Sequence, residues 1–199
     1  MDWKLAKKYW LKFYQTKKTD SEEECTTAKK FVNMFAPKIR WAKSICELGV
    51  GTGKHLNFFL ERYPDKIYSG NDFNPNTIGL IKKLYPNVIE KCNISINSTD
   101  KYLKKYIGLV DAIFTYNHLM YIPNNLIDLE CSRISRRATK YILIYEIKTN
   151  VSYTESKKSF IKFGIGRDYT DMFDDFNLKG KTTETVSGQE FDTYLFKRI

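Results

Sequence analysis

The strongest constraint on this chain is an apolar stretch at 45–48 that runs into three alternating glycines, Gly49, Gly51 and Gly53. Glycines at this spacing let a backbone turn sharply out of a strand and approach a ligand without a Cβ in the way. Apolar residues then recur at helical spacing over 53–63. The segment therefore predicts a strand, a ligand-binding turn and a helix in direct succession.

These glycines do not match the patterns that hold phosphate groups. A dinucleotide fingerprint G-x-G-x-x-G would place its third glycine at position 54, which is Lys54. The P-loop pattern G-x-x-x-x-G-K-[ST] does not occur anywhere in the chain. The third glycine comes one residue early, at Gly53, which suits a ligand that has an adenosine but no phosphate.

A second signal is Asp72, which closes the next apolar run at 67–71. An acid about twenty residues after such glycines accepts hydrogen bonds from ribose hydroxyls. In the alternative interpretation, the glycines only turn the chain and Asp72 caps a helix that starts at Asn74 and Pro75. The two signals at this spacing together favour adenosine binding.

The glycine segment and the stretch 70–75 resemble the first motif and the ribose-binding acid of class I S-adenosylmethionine (SAM)-dependent methyltransferases. The stretch 110–115 resembles the fourth strand of that family, with its usual acid at Asp111. The motifs span positions 41–147, about half of the chain. The resemblance implies the fold, SAM as methyl donor and S-adenosylhomocysteine (SAH) as product, and it leaves the acceptor open.

The resemblance also implies which residues hold the donor. They are Glu47, Gly49, Gly51, Gly53, Asp72, Phe73, Thr115 and Asn117. Many family members carry an adenine-binding acid after the third strand, whereas the run 91–95 has none here. Asn93 or Ser95, on either side of Ile94, could take that role, because an amide or hydroxyl oxygen accepts hydrogen bonds as a carboxylate does.

The order of apolar runs and helical patterns predicts an α/β, Rossmann-like sheet. Apolar runs lie at 44–48, 67–71, 88–94, 109–115 and 140–147, and helical patterns lie between them at 53–63, 75–85, 99–106 and 124–137. Such alternation favours a mostly parallel sheet with helices on both faces. The stretches 178–186 and 191–198 predict a C-terminal antiparallel hairpin, and the resemblance implies seven strands in total.

Two helices are predicted ahead of this core. Residues 2–15 form an amphipathic pattern, and Ser21 with Glu24 forms a capping box for a helix that runs to Phe35. We expect one domain over 1–199, with a helical cap at 1–40 and the Rossmann-like core at 41–199, since 42% apolar content suffices for a single core.

The first helix has three interpretations. It could close over the pocket as a lid, with Trp10 and Tyr14 near the cofactor and the acceptor, and so exclude water. It could instead be a plain packing helix, or its basic face could lie on an anionic membrane.

Composition narrows the class of protein. No apolar run approaches the roughly eighteen residues of a membrane helix, and the N-terminus lacks the apolar core of a signal peptide, so we expect no transmembrane segment and a cytoplasmic protein. The four cysteines form no C-x-x-C pair and are expected to be reduced core thiols. Clustered carboxylates are missing near the strand ends apart from Glu146, so we expect no metal.

The formal charge of +10 raises the question of nucleic acid. Most of the basic residues are lysines spread along the chain, and arginine is concentrated only at Arg133, Arg136 and Arg137 of a predicted helix, which a solvated helix face explains. A tRNA or rRNA methyltransferase stays as an alternative, and so does a catalytically inactive SAM-binding regulatory or scaffold subunit. The oligomeric state is left open.

Methyl transfer from a sulfonium requires a positioned nucleophile and, for a hydroxyl acceptor, removal of its proton. His118, after the fourth strand, suits a general base; alternatively, it points into an interface and bonds a carbonyl. Glu146, at the end of the fifth strand, is a second candidate for the base or binds an acceptor hydroxyl, unless it pairs with a lysine. We expect His55 to pack beside the cofactor.

The acceptor is approached through a further resemblance. The order of the stretches 119–123, 140–146 and 167–169 is similar to methylases associated with pseudaminic acid biosynthesis, in which a histidine stands at the place of Tyr121. This resemblance implies a small polar acceptor bound by Tyr121, Glu146, Arg167 and Asp168. Alternatively, Arg167 and Asp168 form a surface turn.

The stretch 116–119 also lacks the Asn/Asp-Pro-Pro-aromatic motif of enzymes that methylate amino groups of nucleobases or glutamine. That class of acceptor is therefore disfavoured, and the resemblance to the sugar-associated methylases implies O-methylation of a sugar or a nucleotide-sugar.

Overall fold

The computed structural model describes residues 3–105, 107–148, 165–186 and 188–199. Within these ranges the strands are β1 Ser44–Leu48, β2 Ile67–Asp72, β3 Cys92–Ile96, β4 Val110–Tyr116, β5 Ala138–Ile147, β6 Phe176–Val186 and β7 Gln189–Arg198. The helices are α1 Trp3–Thr16, α2 Glu22–Phe35, α3 Lys54–Arg62, α4 Thr77–Leu84, α5 Pro86–Lys91, α6 Thr99–Lys105 and α7 Asn124–Arg137. A single 3₁₀ turn, Leu119–Tyr121, follows β4.

All described strands belong to one sheet, in the order β3-β2-β1-β4-β5-β7-β6. The pairs among β1 to β5 are parallel, while β7 runs antiparallel to both β5 and β6. The predicted fold, a mostly parallel sheet that ends in an antiparallel hairpin, is therefore confirmed. The hairpin turn was predicted over 187–189, and Ser187 lies outside the described residues.

Helices cover both faces of the sheet, which is also as predicted. On one face, Phe31 of α2 and Phe59 of α3 pack with Phe114 of β4 in a buried cluster. On the other face, Leu103 of α6 and Ile134 of α7 pack with further strand residues in a second cluster. Alternate residues of one strand supply the two clusters, because successive side chains of a strand point to opposite faces.

The helix α2 begins at the predicted capping box. The Ser21 hydroxyl oxygen accepts a hydrogen bond from the Glu24 amide at 3.1 Å, and the Glu24 carboxylate accepts one from the Ser21 amide at 2.7 Å. Phe31, Val32 and Phe35 place this helix in the same cluster as the sheet. The division of the chain into a cap and a core stays a prediction.

The third predicted strand is shifted in the structure. The apolar run 88–94 was expected to be one strand, whereas its first half belongs to α5 and the strand β3 begins only at Cys92. Pro86 occupies the first turn of α5, where its missing amide costs nothing and its fixed φ favours a helix. Val88 is buried as a helical residue in the first cluster, so its apolar character did not signal a strand.

The cysteines are free thiols in this structure. Cys46, Cys92 and Cys131 are buried, and burial raises the pKa of each thiol to about 12. The predicted core position is therefore right for these three cysteines, whereas Cys25 is only half-buried. None of the described helices combines the length and the apolar character needed to cross a bilayer.

Candidate active site

A cavity of about 620 Å³ opens at the carboxyl edge of the parallel strands. This is the edge at which α/β sheets bind ligands, and the volume lies within the usual range of small-molecule sites. Its lining comes from α1, the start of α2, the glycine turn and the ends of the central strands. The bordering residues are Trp10, Phe13, Tyr14, Lys17, Glu23, Glu24, Thr27, Gly49, Val50, Gly51, Thr52, Lys54, His55, Asp72, Phe73, Tyr116, Asn117, His118, Tyr121, Tyr145, Val186, Gln189 and Phe191.

The glycine turn has the conformation that its sequence predicts. Gly49, Gly51 and Gly53 have φ values of +77°, +58° and +86°, which disfavour residues with a Cβ. A Cβ on Gly51 would lie 2.8 Å from the Tyr14 hydroxyl, and one on Gly49 would lie 2.6 Å from His118 Nδ1. Both the backbone conformation and the close neighbours therefore require glycine at these positions.

The carboxylate of Asp72 lies directly beside this turn. One oxygen accepts a hydrogen bond from the Gly51 amide at 3.0 Å, and the other accepts one from the Asn74 amide at 2.9 Å. The Thr77 side chain and the Phe73 backbone also act on this carboxylate as hydrogen-bond donors. Burial raises the pKa of Asp72 to about 6, so the group is largely ionised at pH 7.

The helix α1 closes one side of the cavity with aromatic side chains. The ring of Trp10 meets that of Tyr121 edge to face at 5.5 Å, and the Trp10 carbonyl accepts a hydrogen bond from the Asn74 side chain at 3.0 Å. The pKa of Tyr14 is raised well above its usual value, first by burial and then by the charge of Asp72. The predicted residues Trp10, Tyr14 and Tyr121 thus border the same cavity as the glycine turn.

A row of stacked rings forms another wall. The ring of His55 lies 4.2 Å from that of Tyr116, Tyr116 stacks on Tyr145 at 4.2 Å, and Tyr145 stacks on Phe191 at 5.2 Å. The planes of Tyr116 and Tyr145 differ by only 3°, so one face of each ring is covered by the other ring. A ligand in the cavity therefore meets ring edges rather than open faces of these two tyrosines.

His55 is held by a buried acid. Its Nδ1 lies 3.0 Å from the Glu47 carboxylate, and burial lowers the pKa of His55 well below its usual value. Burial also raises the pKa of Glu47 well above the usual range. His55 borders the cavity, whereas Glu47 lies behind it, below the glycine turn.

The second histidine, His118, borders the cavity as well. Its Nε2 lies 2.7 Å from the Thr99 hydroxyl, which also accepts a hydrogen bond from Asn71 at 3.3 Å. Burial lowers the pKa of His118 to about 4, so the ring is neutral at physiological pH. Its Nδ1 is the nitrogen that faces Gly49.

Glu146 is turned away from the cavity and organises the segment after β4. Its carboxylate accepts hydrogen bonds from the Thr115 hydroxyl at 3.1 Å and from three backbone amides, those of His118 at 2.9 Å, Leu119 at 2.7 Å and Met120 at 3.1 Å. The side chain is fully buried, and burial raises its pKa to about 7. The lysine partner considered for Glu146 is replaced by backbone amides.

Arg167 completes the support of that segment from outside. Its guanidinium donates to the Leu119 carbonyl at 2.9 Å, to the Ile122 carbonyl, and to the Asn124 side chain at 2.7 Å. Asp168 is exposed and accepts hydrogen bonds from the amide and hydroxyl of Thr170, which lower the pKa of Asp168 to about 2. Neither residue borders the cavity. The alternative of a surface turn does not describe Arg167 either, because its side chain is buried against the segment after β4, and only Asp168 is exposed.

The predicted adenine contacts are not brought to the cavity lining. Asn93, Ile94 and Ser95 lie on β3, and the Ser95 hydroxyl accepts a hydrogen bond from Asn97 at 2.7 Å. Phe73 and Asn117 do border the cavity, while Gly53 and Thr115 lie outside its lining. Which group contacts adenine stays a prediction.

Several bordering residues were not predicted from the sequence. Tyr116 and Tyr145 stand at the carboxyl ends of β4 and β5, so the strand-end position was a usable signal for both. Glu23, Glu24 and Thr27 come from the first turns of α2, where no local pattern distinguishes them from an ordinary helix start. They border the cavity only because α2 packs beside it.

The charges at the cavity are largely compensated. Lys17 lies 2.8 Å from Glu24 and 3.3 Å from Asp20, and Lys54 lies 3.5 Å from Asp20.

An adjoining cavity of about 490 Å³ lies between α2 and β6. Its charged border consists of Glu22, Glu23, Glu184 and Lys30. The approach from this side is therefore negative on balance. Within the described ranges, no three His, Cys, Asp or Glu side chains are grouped as metal ligands would be.

Comparison with protein-family models gave no match, and comparison with curated protein sequences gave none either. Comparison with solved structures gave several matches. The SAH-bound magnesium protoporphyrin IX methyltransferase ChlM from Synechocystis PCC 6803 superposes with a TM-score of 0.72 at 10% identity, over 98% of this chain and 95% of that one. The fold is that of SAM-dependent methyltransferases.

Two further solved structures share this fold. The N-methyltransferase NodS from Bradyrhizobium japonicum WM9, in complex with SAH, gives a TM-score of 0.71 at 8% identity, over 98% of this chain and 97% of that one. The plantazolicin methyltransferase BpumL, in complex with SAH and a monoazolic analogue, gives a TM-score of 0.62 at 13% identity, over 87% and 83%. At such identities the likeness extends to the fold and not to the acceptor.

Proposed function

We propose that this protein is a SAM-dependent methyltransferase that acts on a small polar acceptor. The observation that carries the proposal is that a glycine turn with three positive φ angles and a buried, largely ionised Asp72 border one cavity. The SAH-bound structures of similar fold support the same donor.

The residues present fit the donor. Asp72 would accept hydrogen bonds from the two ribose hydroxyls, because the carboxylate borders the cavity and its oxygens are oriented by the Gly51 and Asn74 amides. The glycine turn would lie against the donor without side chains in the way, and α1 would shield it from water through Trp10 and Tyr14. When bound, SAM supplies an electrophilic methyl group.

For the proton of a hydroxyl acceptor, we retain His118 as the proposed base. The ring borders the cavity, and its Nδ1 is not engaged by Thr99. Burial lowers its pKa to about 4, which keeps the ring neutral at pH 7 but makes it a weaker base than an ordinary histidine. A base role requires that the ring proton be on Nε2 and donated to Thr99. We assign no proton transfer to Glu146, because its oxygens are occupied by Thr115 and the backbone.

At the finer level, we propose O-methylation of a sugar. Tyr116, Gln189 and Thr27 offer polar groups along the cavity that could hydrogen-bond the hydroxyls of a sugar. The carboxylates Glu22, Glu23 and Glu184 at the approach repel phosphate, which favours an unphosphorylated sugar over a nucleotide-sugar.

The same charges disfavour an RNA acceptor. The arginines of α7 are also engaged within the protein, since Arg133 pairs with Asp100 and with Glu130, and Arg137 donates to the carbonyls of Leu103 and Lys104. The third alternative, a catalytically inactive SAM-binding subunit, predicts donor binding without turnover by the chain alone.

The deciding experiment is methyl transfer from labelled SAM across separate pools of free sugars, nucleotide-sugars, tRNA and cell metabolites. Label in the free-sugar pool supports the finer proposal, and label in tRNA or the nucleotide-sugars contradicts it. His118→Ala then tests the base: bound donor with lost turnover supports the role, and full turnover rejects it. Donor binding without transfer to any pool would leave the inactive subunit as the better interpretation.

A further inference from the structure

Three large apolar side chains are exposed at the edge of the sheet opposite the cavity. Trp41, Ile67 and Leu109 leave 69%, 70% and 69% of their surface in solvent. Trp41 precedes β1, Ile67 begins β2 and Leu109 precedes β4, and β1 pairs in parallel with both other strands. Because parallel strands begin at one edge and neighbours lie about 4.8 Å apart, these side chains share one surface. We call Trp41, Ile67 and Leu109 the basal patch.

Hydrogen bonds tie the segments of the basal patch together. The Ile67 amide donates to the Lys43 carbonyl at 3.0 Å, and the Lys43 amide donates to the Asp111 carboxylate at 2.6 Å. Lys140 donates to the same carboxylate at 3.0 Å and reaches the Trp41 carbonyl at 3.5 Å. The patch is therefore a fixed feature of the sheet edge rather than a set of unrelated exposed residues.

Basic side chains surround the patch. They are Arg40, Lys43, Lys66 and Lys140. The guanidinium of Arg40 lies 5.0 Å from the ring centroid of Trp41. The pKa of Lys66 is lowered, first by burial and also by the charge of Lys140, while Asp111 raises it. Asp111 accepts hydrogen bonds from the Lys43 amide and the Lys140 ammonium, and Asp65 adjoins Lys66 in sequence, so the four basic residues outnumber these two acids.

We propose that the basal patch docks this protein on an anionic lipid bilayer. Tryptophan prefers the membrane interface, aliphatic side chains enter the acyl boundary, and lysine and arginine bind anionic headgroups. Apolar and basic groups together supply the two contributions to interfacial binding, which are buried apolar area and attraction to anionic lipids. Nucleic acid is the poorer partner, because Ile67 and Leu109 offer bases neither a stacking surface nor a hydrogen bond. In the docked orientation the cavity, at the opposite edge, stays open to water.

The test is cosedimentation of the full chain with vesicles of phosphatidylcholine alone and of equal parts phosphatidylcholine and phosphatidylserine, at low and high salt. We expect binding only to the anionic vesicles and its loss at high salt. Arg40→Gln with Lys43→Gln should weaken binding about thirtyfold, since each basic residue contributes about fivefold. Trp41→Ser with Leu109→Ser should weaken it about tenfold or more.

Two matched variants serve as controls. Leu126→Ser with Leu129→Ser removes apolar side chains of 46% and 45% exposure from α7, and Lys7→Gln with Lys8→Gln removes the same charge from α1. Both should bind vesicles as the parent chain does. All substituted positions are exposed, so the melting temperature should stay within a few degrees, which verifies folding.

Two results would overturn the proposal. The first is that the parent chain does not bind anionic vesicles. In that case, loss of tRNA retention in the basal variants would point to nucleic acid, and a changed oligomeric state of Trp41→Ser with Leu109→Ser in sedimentation velocity would point to a second copy of the chain. The second is that the α1 variant alone abolishes binding, which would assign the membrane contact to α1. None of these outcomes bears on donor binding, which Asp72 tests separately.

Discussion

Two segments at the same edge of the sheet reach their conformations by different means. The glycine turn after β1 is built from residues that adopt positive φ by themselves, at Gly49, Gly51 and Gly53. The segment after β4, Asn117 to Ile122, contains no glycine, and Asn117 alone has a positive φ, of 51°. It is held in place from outside by Glu146 and Arg167.

The difference shows which residues determine the conformation of each segment. In the first segment the residues within the turn specify the bend, so the conformation of the segment can be predicted from its sequence. In the second, a carboxylate 28 residues away from His118 accepts the free backbone amides, and an arginine 48 residues from Leu119 binds a free carbonyl. Buried backbone groups require partners, and here the partners come from remote parts of the chain.

Substitution of Glu146 tests most directly whether the segment after β4 depends on support from outside. Glu146→Ala would leave the amides of His118, Leu119 and Met120 without their acceptor, two of them in buried surroundings. We expect the free energy of unfolding to fall by about 3 kcal/mol, measured by urea denaturation. Glu146→Gln, which keeps one acceptor oxygen, should lose less, and the exposed Glu190→Ala should change little. If Glu146→Ala were as stable as the parent chain, the segment after β4 would keep its conformation without external hydrogen-bond partners.

The second test removes the acid beside the glycine turn. SAM or SAH should raise the melting temperature of the parent chain, and Asp72→Ala should weaken donor binding about a hundredfold, because charge-assisted hydrogen bonds to the ribose are lost. Isothermal titration measures the affinity directly. Circular dichroism verifies that the variant is folded, and an unchanged affinity in a folded variant would mean that Asp72 is not the ribose ligand.

The third test asks whether the glycine turn is specified locally. Gly51→Ala places a Cβ at φ +58° and 2.8 Å from the Tyr14 hydroxyl, so we expect a loss of about 1–2 kcal/mol in stability. Adding Tyr14→Phe should relieve the contact but not the backbone strain. The control Gly79→Ala, in α4 with open space at its Cβ, should instead stabilise by about 0.5–1 kcal/mol. Full recovery in the double variant would assign the requirement to Tyr14 alone.

The smallest expected effect is a pH dependence of donor binding. Burial raises the pKa of Asp72 to about 6, so acidification through that value protonates the group that accepts the ribose hydroxyls. Between pH 7.5 and pH 5 the ionised fraction falls about tenfold, and donor affinity should fall by a similar factor. Asp72→Asn should bind more weakly and with a smaller pH dependence, since Glu146, with a pKa of about 7, still titrates in this range. A parent chain whose affinity is flat across this range would separate donor binding from the charge of Asp72.

Much of the site could be predicted because its signals are local. Gly49, Gly51 and Asp72 lie where the sequence indicated, and the strand-end rule placed Asn117, His118 and Tyr121 at the same cavity. Arg167 and Asp168 lie outside the cavity lining, because nothing in their own neighbourhood shows that Arg167 serves the backbone of a distant segment. The stacked row of His55, Tyr116, Tyr145 and Phe191 joins four elements and has no signature in any one of them.

The sequence by itself determined the order of strands and helices, the capping box of α2 and the glycine turn, because each follows from the period or backbone preference of neighbouring residues. Only the tertiary structure decided that Val88 would be buried as a helical residue where an apolar run suggested a strand, and that Glu146 would hold a backbone segment rather than face the cavity. Packing makes such choices, since a buried group is fixed by the partners that the whole fold brings to it.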